Sequence, residues 1–468
     1  MFYVLPPLRM KNFPISKLYL YQAILLAICF SVFNLRAQTS IDWSVYNGNA
    51  NNVNTSHMDT MGGYIYVLGT TYSTSFATTN SSTLNGQDLF ISKYDLQGNR
   101  IFSKLIGATG NDDLKDVIFA NNKIYTLGTA KGNDFPTAIS STYKDDDILV
   151  SEINTNGDVV KAIYLGSSVI RDQAISIDLI DDNLFIGGMV QGTGYPVTNG
   201  SSFKGLSDIV FTKIDTAFNI KYSTYLGGNS REHYTYSRVF KDKIAFVGTT
   251  HSSNFFTTNS SVHQGSSDLF CTIFDTAGSI FSSSLHGHAS YNYFSDFIFE
   301  DSQIFVHGYN TDESYFSNPF TDINGYPKNV GILTIDIYGN EIYSTALGND
   351  ELGKVGQAVY YNKELYYIGA TSDLTYRRTN NVANNGDLDF FFTKLDKNGE
   401  LIHSFYFGGN GAEYSSNYRK FFFIKNNKIH LHGFTTSTNI TSTDGSTQKG
   451  SFDNLIYRLD TAGNEELV

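Results

Sequence analysis

The chain has 468 residues, of which only 17% are charged and 15% aromatic, with 32 Tyr and 36 Phe against a single Trp. Forty-one Gly and abundant Asn, Ser and Thr supply turns, a mixture that suits many short strands better than helices. A formal charge of −12 without a basic run argues against nucleic acid or an anionic membrane surface as partner.

Residues 1–37 read as an export signal. Lys11 and Lys17 form a basic start, Ile24 to Phe33 an apolar run, and Leu35-Arg36-Ala37-Gln38 a cleavage region. Met10 is an alternative start that gives a more compact signal. The apolar run is short and bounded by Gln22 and Asn34, so no membrane span is expected in the mature chain. An uncleaved anchor is the competing reading, and a lipoprotein signal through Leu26-Ala27-Ile28-Cys29 suffers from the bulky Ile28. The Ala37-Gln38 ending resembles signal peptides common in Bacteroidetes-type bacteria. Loss of 1–37 removes four bases (Arg9, Lys11, Lys17, Arg36) and no acid, which takes the charge to −16. Cys29 leaves with it, so Cys271 has no partner for a disulfide, and apolar burial must hold residues 38–468 together as one domain.

Three markers recur through that domain. An apolar strand opens at Asp88, Asp147, Asp208, Asp268, Asn329, Asp389 or Asp453 and closes seven residues later at Asp95, Asn154, Asp215, Asp275, Asp336, Asp396 or Asp460. Three residues further stands Gly98, Gly157, Gly278, Gly339, Gly399 or Gly463, with Phe218 the exception. Asp-x-x-Gly is a tight turn, in which Asp caps the backbone and Gly takes positive φ. A second strand follows and ends in Leu-Gly or a variant, as at Tyr225-Leu226-Gly227 and Tyr406-Phe407-Gly408. The third marker is a strand ending at Gly69, Gly128, Gly188, Gly248, Gly308, Gly369 or Gly433. Seven residues beyond each stands Phe76, Phe135, Tyr195, Phe255, Tyr315, Tyr376 or Ile440.

Each period of about sixty residues thus carries four strands, near 208–215, 220–226, 236–240 and 243–249 in the clearest copy. Four strands per repeat predict an all-β, seven-bladed β-propeller. A β-solenoid has shorter coils, and separate sixty-residue domains would bury too little apolar surface. The copy Asp208–Thr257, with Asp-x-x-Gly-like turn, Tyr-Ser-Thr-Tyr-Leu-Gly-Gly and a counterpart of Phe135-Pro136-Thr137, resembles the SBBP bacterial β-propeller repeat. The resemblance covers nearly everything after residue 40 and implies a propeller at the cell surface or secreted. It carries no catalytic motif. Copies at Ser284-Leu285-His286-Gly287 and Tyr376-Arg377-Arg378 depart from the pattern.

The last repeat lacks a Leu-Gly strand, and Asp42-Trp43-Ser44-Val45-Tyr46-Asn47-Gly48 resembles one. Residues 42–47 are therefore expected to complete the seventh blade and close the ring. The 236–240 type of strand should be innermost and the Leu-Gly strand outermost. Short turns, such as Asn121-Asn122, Asp181-Asp182 and Lys241-Asp242, would share one face with the Asp-x-x-Gly turns. Longer loops would share the other, which is the expected binding face.

On that face the connections into the inner strands carry Asp112, Asp113, Arg171, Asp172, Arg231, Glu232, His233, Tyr234, Tyr291, Tyr293, Glu351, Lys354, Glu413 and Tyr414. Ligand contact is expected from Arg231, Glu232, His233, Tyr234, Tyr291, Tyr293, Glu413 and Tyr414. No catalytic residue is assigned, although Glu232, His233, Tyr234 and Glu413 have the chemistry for acid–base work on a sugar. Asp112, Asp172 and Glu232 each precede a strand glycine by sixteen residues, a recurrence that favours a structural hydrogen-bonding role. His286 with His288, and His430 with His432, have the two-residue spacing that shares one strand face, but His307 and His432 stand just before the strand glycine where other copies have Leu68, Leu127, Gly187, Val247 or Ile368, which favours packed side chains. The Asn154–Asp158 loop lacks the distal Glu of a calcium loop. No metal and no cofactor are expected.

Three functions remain: an exported non-catalytic scaffold recognising an extracellular protein or glycan as a monomer, a carbohydrate-active hydrolase or lyase with its site at the channel mouth, and a structural part of a surface assembly.

Overall fold

The computed structural model describes residues 53–461, apart from 74–75, 77, 81–85, 140–145, 169–170, 288–291, 311–315, 318–329, 349–355, 381–382, 385–386, 416–421 and 441–452. The described regular structure is all β, and no helix long and apolar enough to cross a membrane occurs among these residues. The strands form four-stranded antiparallel sheets spanning 53–106, 112–165, 173–226, 232–286, 292–348, 357–407 and 413–460, called sheets 1 to 7 below.

In sheets 1 to 6 four consecutive strands pair in sequence order. Sheet 4 shows the plan: Glu232–Phe240, Lys243–Thr250, Asp268–Asp275 and Ile280–His286. Its first two strands join through Lys241-Asp242. In the corresponding turns of sheets 2, 5, 6 and 7 both central residues have positive φ, the geometry of tight hairpins that favours Asn, Asp and Gly. The third and fourth strands join through the Asp-x-x-Gly turn. There Asp275 Oδ1 accepts the N–H groups of Ala277 and Ser279 at 2.9 Å, and Gly278 takes φ 92°. The corresponding carboxylates of Asp95, Asp215, Asp336 and Asp396 are occupied in the same way. Phe218, the exception in the sequence, adopts φ 68° without the help of a glycine. Because strands alternate in direction, both short turns fall at one end of each sheet and both long connections at the other.

The first strands of successive sheets pack against one another, from sheet 1 through to sheet 7. Most apolar cores lie between sheets, with a smaller one of Phe76, Phe90 and Leu105 inside sheet 1. Leu89, Ile91 and Phe102 of sheet 1 meet Ile124, Leu149 and Tyr164 of sheet 2, and Phe211 of sheet 3 meets Phe246 and Phe274 of sheet 4 at 5.5 and 4.6 Å between ring centres. Further cores join sheets 2 and 3, 4 and 5, 5 and 6, and 6 and 7. A single sheet buries little core of its own, which favours the repeat in an array. The arrangement is consistent with the propeller expected from the repeats.

The strand glycine has a steric cause. In sheet 2 the first strand bulges between Leu114 and Asp116, and a Cβ on Gly128 would stand 1.8 Å from the Asp113 carbonyl oxygen. The aromatic residue seven positions later folds back on the core: Phe255 stacks on Phe270 at 4.9 Å and Tyr376 on Phe391 at 4.5 Å.

Two expectations need correction or fall outside view. The first strand of sheet 4 starts at Glu232, four residues before the expected 236, because the bulge between His233 and Tyr236 lets pairing continue past the irregularity. In sheet 7 the described parts of the first lane, Glu413–Ser415 and Phe422–Lys425, both pair with Lys428–Thr435, which pairs in turn with Asp453–Asp460. Residues 42–47, expected to lie beside that last strand, are outside the described residues, as are the signal segment, Cys29 and Met10.

Candidate functional site

The long-connection end of the sheets is built on a repeated pair of buried acids. One opens the third strand of a sheet (Asp88, Asp147, Asp208, Asp389); the other opens the first strand of the next (Asp112, Glu232, Glu413) or stands just before it (Asp172), and all eight are buried. The Leu-Gly glycine lies against the pair. A Cβ on Gly227 would stand 2.4 Å from Asp208 Oδ1 and 2.6 Å from Glu232 Oε2. Gly107 is enclosed in the same way by Asp88 and Asp112, and Gly408 by Asp389 and Glu413. The second Leu-Gly residue is therefore a glycine because two carboxyl groups occupy the space a side chain would need.

Glu232 and Glu413 hold matching networks. Glu232 Oε1 accepts Thr250 Oγ1–H at 2.7 Å and Ser252 Oγ–H at 2.6 Å, and Oε2 accepts the Gly228 N–H at 3.3 Å. Glu413 accepts Thr435 Oγ1–H at 2.7 Å, Ser437 Oγ–H at 2.5 Å and the Gly409 N–H at 3.1 Å. Burial, with the negative charge of Asp208 adding to it, pushes Glu232 up to about 7, against the pull of its hydroxyl donors. Burial raises Asp112 to about 7 and Asp172 to about 6. Asp208, which flanks Gly227 together with Glu232, is raised by burial too.

The residue after each of these first-strand acids varies between sheets, and so does the residue after the second strand. These pairs are Asp113 and Lys131 in sheet 2, Gln173 and Gln191 in sheet 3, His233 and His251 in sheet 4, and Tyr414 and Thr436 in sheet 7. The framework repeats while the side chains standing on it do not. Where sheets 1, 2 and 3 meet, a cavity of about 470 Å³ opens among Asp113, Lys115, Lys131, Asp146, Arg171 and Gln173, with Asp112 and Asp172 beneath. Lys131 Nζ lies 3.4 Å from Asp146 Oδ1. Arg171 and Asp146 hold φ of 88° and 53°, a left-handed conformation that costs about 1 kcal/mol or more away from glycine.

The loops around this face are stapled. Tyr225 Oη accepts the Tyr195 N–H at 3.0 Å and donates to the Gly192 carbonyl at 3.3 Å. Tyr164 does the same for Phe135 and Gly132, and Tyr406 for Tyr376 and Asp373. The tyrosine of Tyr-Leu-Gly thus fixes the loop that ends in the recurring aromatic residue.

The residues singled out in the sequence are not all brought together. Arg231 is exposed, His233 is half-buried, and Glu232 and Glu413, read as residues of an open loop, are buried at 0% exposure with their oxygens turned to the framework. Tyr414 packs against the core between sheets 6 and 7. Tyr234 and Tyr293 lie on first strands, but their side chains, together with Tyr291, Glu351, Lys354 and His288, fall outside the described residues. His286 is buried against Ser284 Oγ at 2.9 Å, and burial lowers it to about 4, as it does His307. His430 stacks on Phe423 at 4.9 Å. Sequence reasoning missed Lys115, Lys131, Asp146 and His251. The repeat could have pointed to Lys131 and His251, since each follows a second strand whose partner strand opens with a framework acid.

No family model matches the chain, and no curated protein matches it in sequence. Among solved structures, the polysaccharide lyase Uly1 is similar with TM-score 0.45 at 10% identity, over 91% of this chain and 94% of that one. The N10 neuraminidase-like protein of A/little yellow-shouldered bat/Guatemala/060/2010 gives TM-score 0.36 at 9% identity, over 84% and 92%. A prolyl endopeptidase gives TM-score 0.42 at 9% identity; the match covers 89% of this chain but spans about half, 49%, of the peptidase.

Proposed function

We propose that the chain is an exported, non-catalytic seven-bladed propeller of the SBBP-repeat type, closed by residues 42–47, whose long-connection face recognises an extracellular protein or glycan. The observation that carries this reading is the cavity of about 470 Å³, walled by polar residues that vary from sheet to sheet above acids that repeat. Rigid loops with variable side chains on an invariant scaffold suit recognition. The cavity places Lys131 and Arg171 beside Asp113 and Asp146, a mixed-charge wall matched to a polar ligand such as an acidic glycan.

A hydrolase or lyase is the second reading. Asp112 and Asp172 border the same cavity with pKa values of about 7 and about 6, the range useful to a general acid or base. Both, however, accept framework hydrogen bonds, Asp112 from the Ala108 N–H at 2.6 Å and Asp172 from the Ser167 hydroxyl at 2.9 Å.

A glycan array combined with a reducing-end release assay tests both readings on the wild type, Arg171→Ala and Lys131→Ala. Recognition predicts binding that weakens about tenfold or more in either variant, with no new reducing ends. Turnover that disappears in Asp112→Asn or Asp172→Asn overturns the non-catalytic reading.

A further inference from the structure

The four acids that open a first strand or stand just before it do not all complete their hydrogen bonds. Asp172 has both oxygens on Ser167, and Glu232 and Glu413 hold hydroxyl and backbone donors on both of theirs. Asp112 differs. Its Oδ2 accepts the Ala108 N–H at 2.6 Å, while the buried Oδ1 has no hydrogen-bond partner among the described residues. The Lys131 N–H donates to the Asn111 carbonyl at 3.2 Å. Asp112, only 1% exposed, borders the cavity where sheets 1, 2 and 3 meet. On the wall of the same cavity, the Arg171 guanidinium makes no hydrogen bond or ion pair with any described residue.

We infer that this cavity receives the carboxylate of an acidic sugar, with Arg171, Lys115 and Lys131 meeting its charge and the Asp112 carboxyl donating a hydrogen bond to it; the inference rests on the recognition reading of the same face. A carboxylate matches the guanidinium fork with two coplanar oxygens and is a strong acceptor for a carboxyl O–H. A sulfate ester, a far weaker base, is the poorer acceptor, and a neutral sugar leaves the cations unanswered. Asn111, Thr129 and Gln173 add amide and hydroxyl groups suited to sugar hydroxyls. The volume of about 470 Å³ falls within the range of small-ligand sites.

The charge of the wall depends on the buried acids. Lys115, Lys131 and Arg171 stand against Asp113 and Asp146, the latter 3.4 Å from Lys131 Nζ, so positive charge is in excess while Asp112 and Asp172 stay neutral. With both ionised the balance turns negative and repels a carboxylate. Burial, with the charges of Asp88 and Asp134 added, raises Asp112 to about 7 against the pull of the Ala108 and Lys131 N–H groups. Burial raises Asp172 to about 6, with Asp146 adding to it. An anion bound here favours the protonated acids, so its affinity is highest near pH 6 and falls as pH rises past about 7.

Calorimetric titration of the untagged full chain with tetragalacturonate, its methyl ester and a sulfated tetrasaccharide, at about pH 6 and about pH 8, tests this. Tetragalacturonate should bind about tenfold more tightly at the lower pH, which is the change in the neutral fraction of one acid titrating near 7. The methyl ester and the sulfated sugar should bind about tenfold or more weakly than tetragalacturonate, and Arg171→Ala should lose a similar factor. Asp112→Asn donates a hydrogen bond at either pH and can keep the Ala108 contact, so it should reduce the pH effect to about threefold or less. No tetragalacturonate binding, equal affinity at the two pH values, an undiminished pH effect in Asp112→Asn, or a methyl ester that binds as tightly as the free acid overturns the inference. Binding of the sulfated sugar that depends on Lys131 and Arg171, without binding of tetragalacturonate, overturns it while the recognition reading stands. Tetragalacturonate binding unchanged in both Arg171→Ala and Lys131→Ala places the ligand outside the cavity and overturns both.

Discussion

At Glu232 the carboxylate accepts two hydroxyl protons and a backbone N–H, so truncation leaves Thr250, Ser252 and Gly228 with donors facing a dry site. Unpaired buried donors cost about 1–3 kcal/mol. Glu232→Ala should therefore lower unfolding stability by at least that amount in urea denaturation, and a change under about 0.5 kcal/mol would contradict the framework role. The residue was legible in the sequence as an acid recurring sixteen positions before a strand glycine. Its partners were not, because Thr250 and Ser252 lie 18 and 20 residues away and reach it only once the hairpin has formed. Gly227 was legible as a repeat marker, yet its cause, a carboxyl pair contributed by two different sheets, depends on packing that no local pattern encodes.

At the scale of the element, the first strands and the junctions between sheets hold most of the unexpected chemistry. Residues 231–234 looked like loop because Arg-Glu-His-Tyr shows no strand alternation, and the bulge that resets the register is invisible without the partner strand. First strands of neighbouring sheets are tied by an ion pair, Arg238 to Asp296 at 2.8 Å, and by the Ile177 N–H donating to Asp116 at 3.1 Å. The buried acids give these junctions a pH dependence with a definite sign. Glu232 and Asp112 rise to about 7 and Asp172 to about 6, above unfolded values of roughly 4, so the folded chain binds more protons between those limits. Their contribution to stability is complete below about pH 4, falls as pH rises toward 7, and is level above that. Chemical denaturation across this range should show Glu232→Gln, which cannot ionise, losing less stability with rising pH than the wild type does. A steeper loss in the variant would reverse the assignment.

For the whole molecule, the repeat period and the four-strand plan were readable because the markers sit where backbone geometry leaves little choice: at Asp-x-x-Gly turns, at bulge-facing glycines and at aromatic residues folded onto a third strand. Cores shared between neighbouring sheets follow from the same period, since no single repeat can cover its own apolar faces. The cavity was only partly readable, because Lys115, Lys131 and Asp146 come from different strands and loops and converge only in the array. The ring proposal rests on the seventh sheet, whose last described strand is Asp453–Asp460. An outer strand supplied by residues 42–47 would pair with it and convert an open edge into an internal one. Amide hydrogen exchange of residues 453–460, compared between the full chain and a deletion of residues 40–48, addresses this most directly. Slow exchange that becomes fast in the deletion, together with a lowered unfolding temperature, is the result predicted; the same exchange and the same unfolding temperature in both proteins would contradict closure by the N-terminal strand.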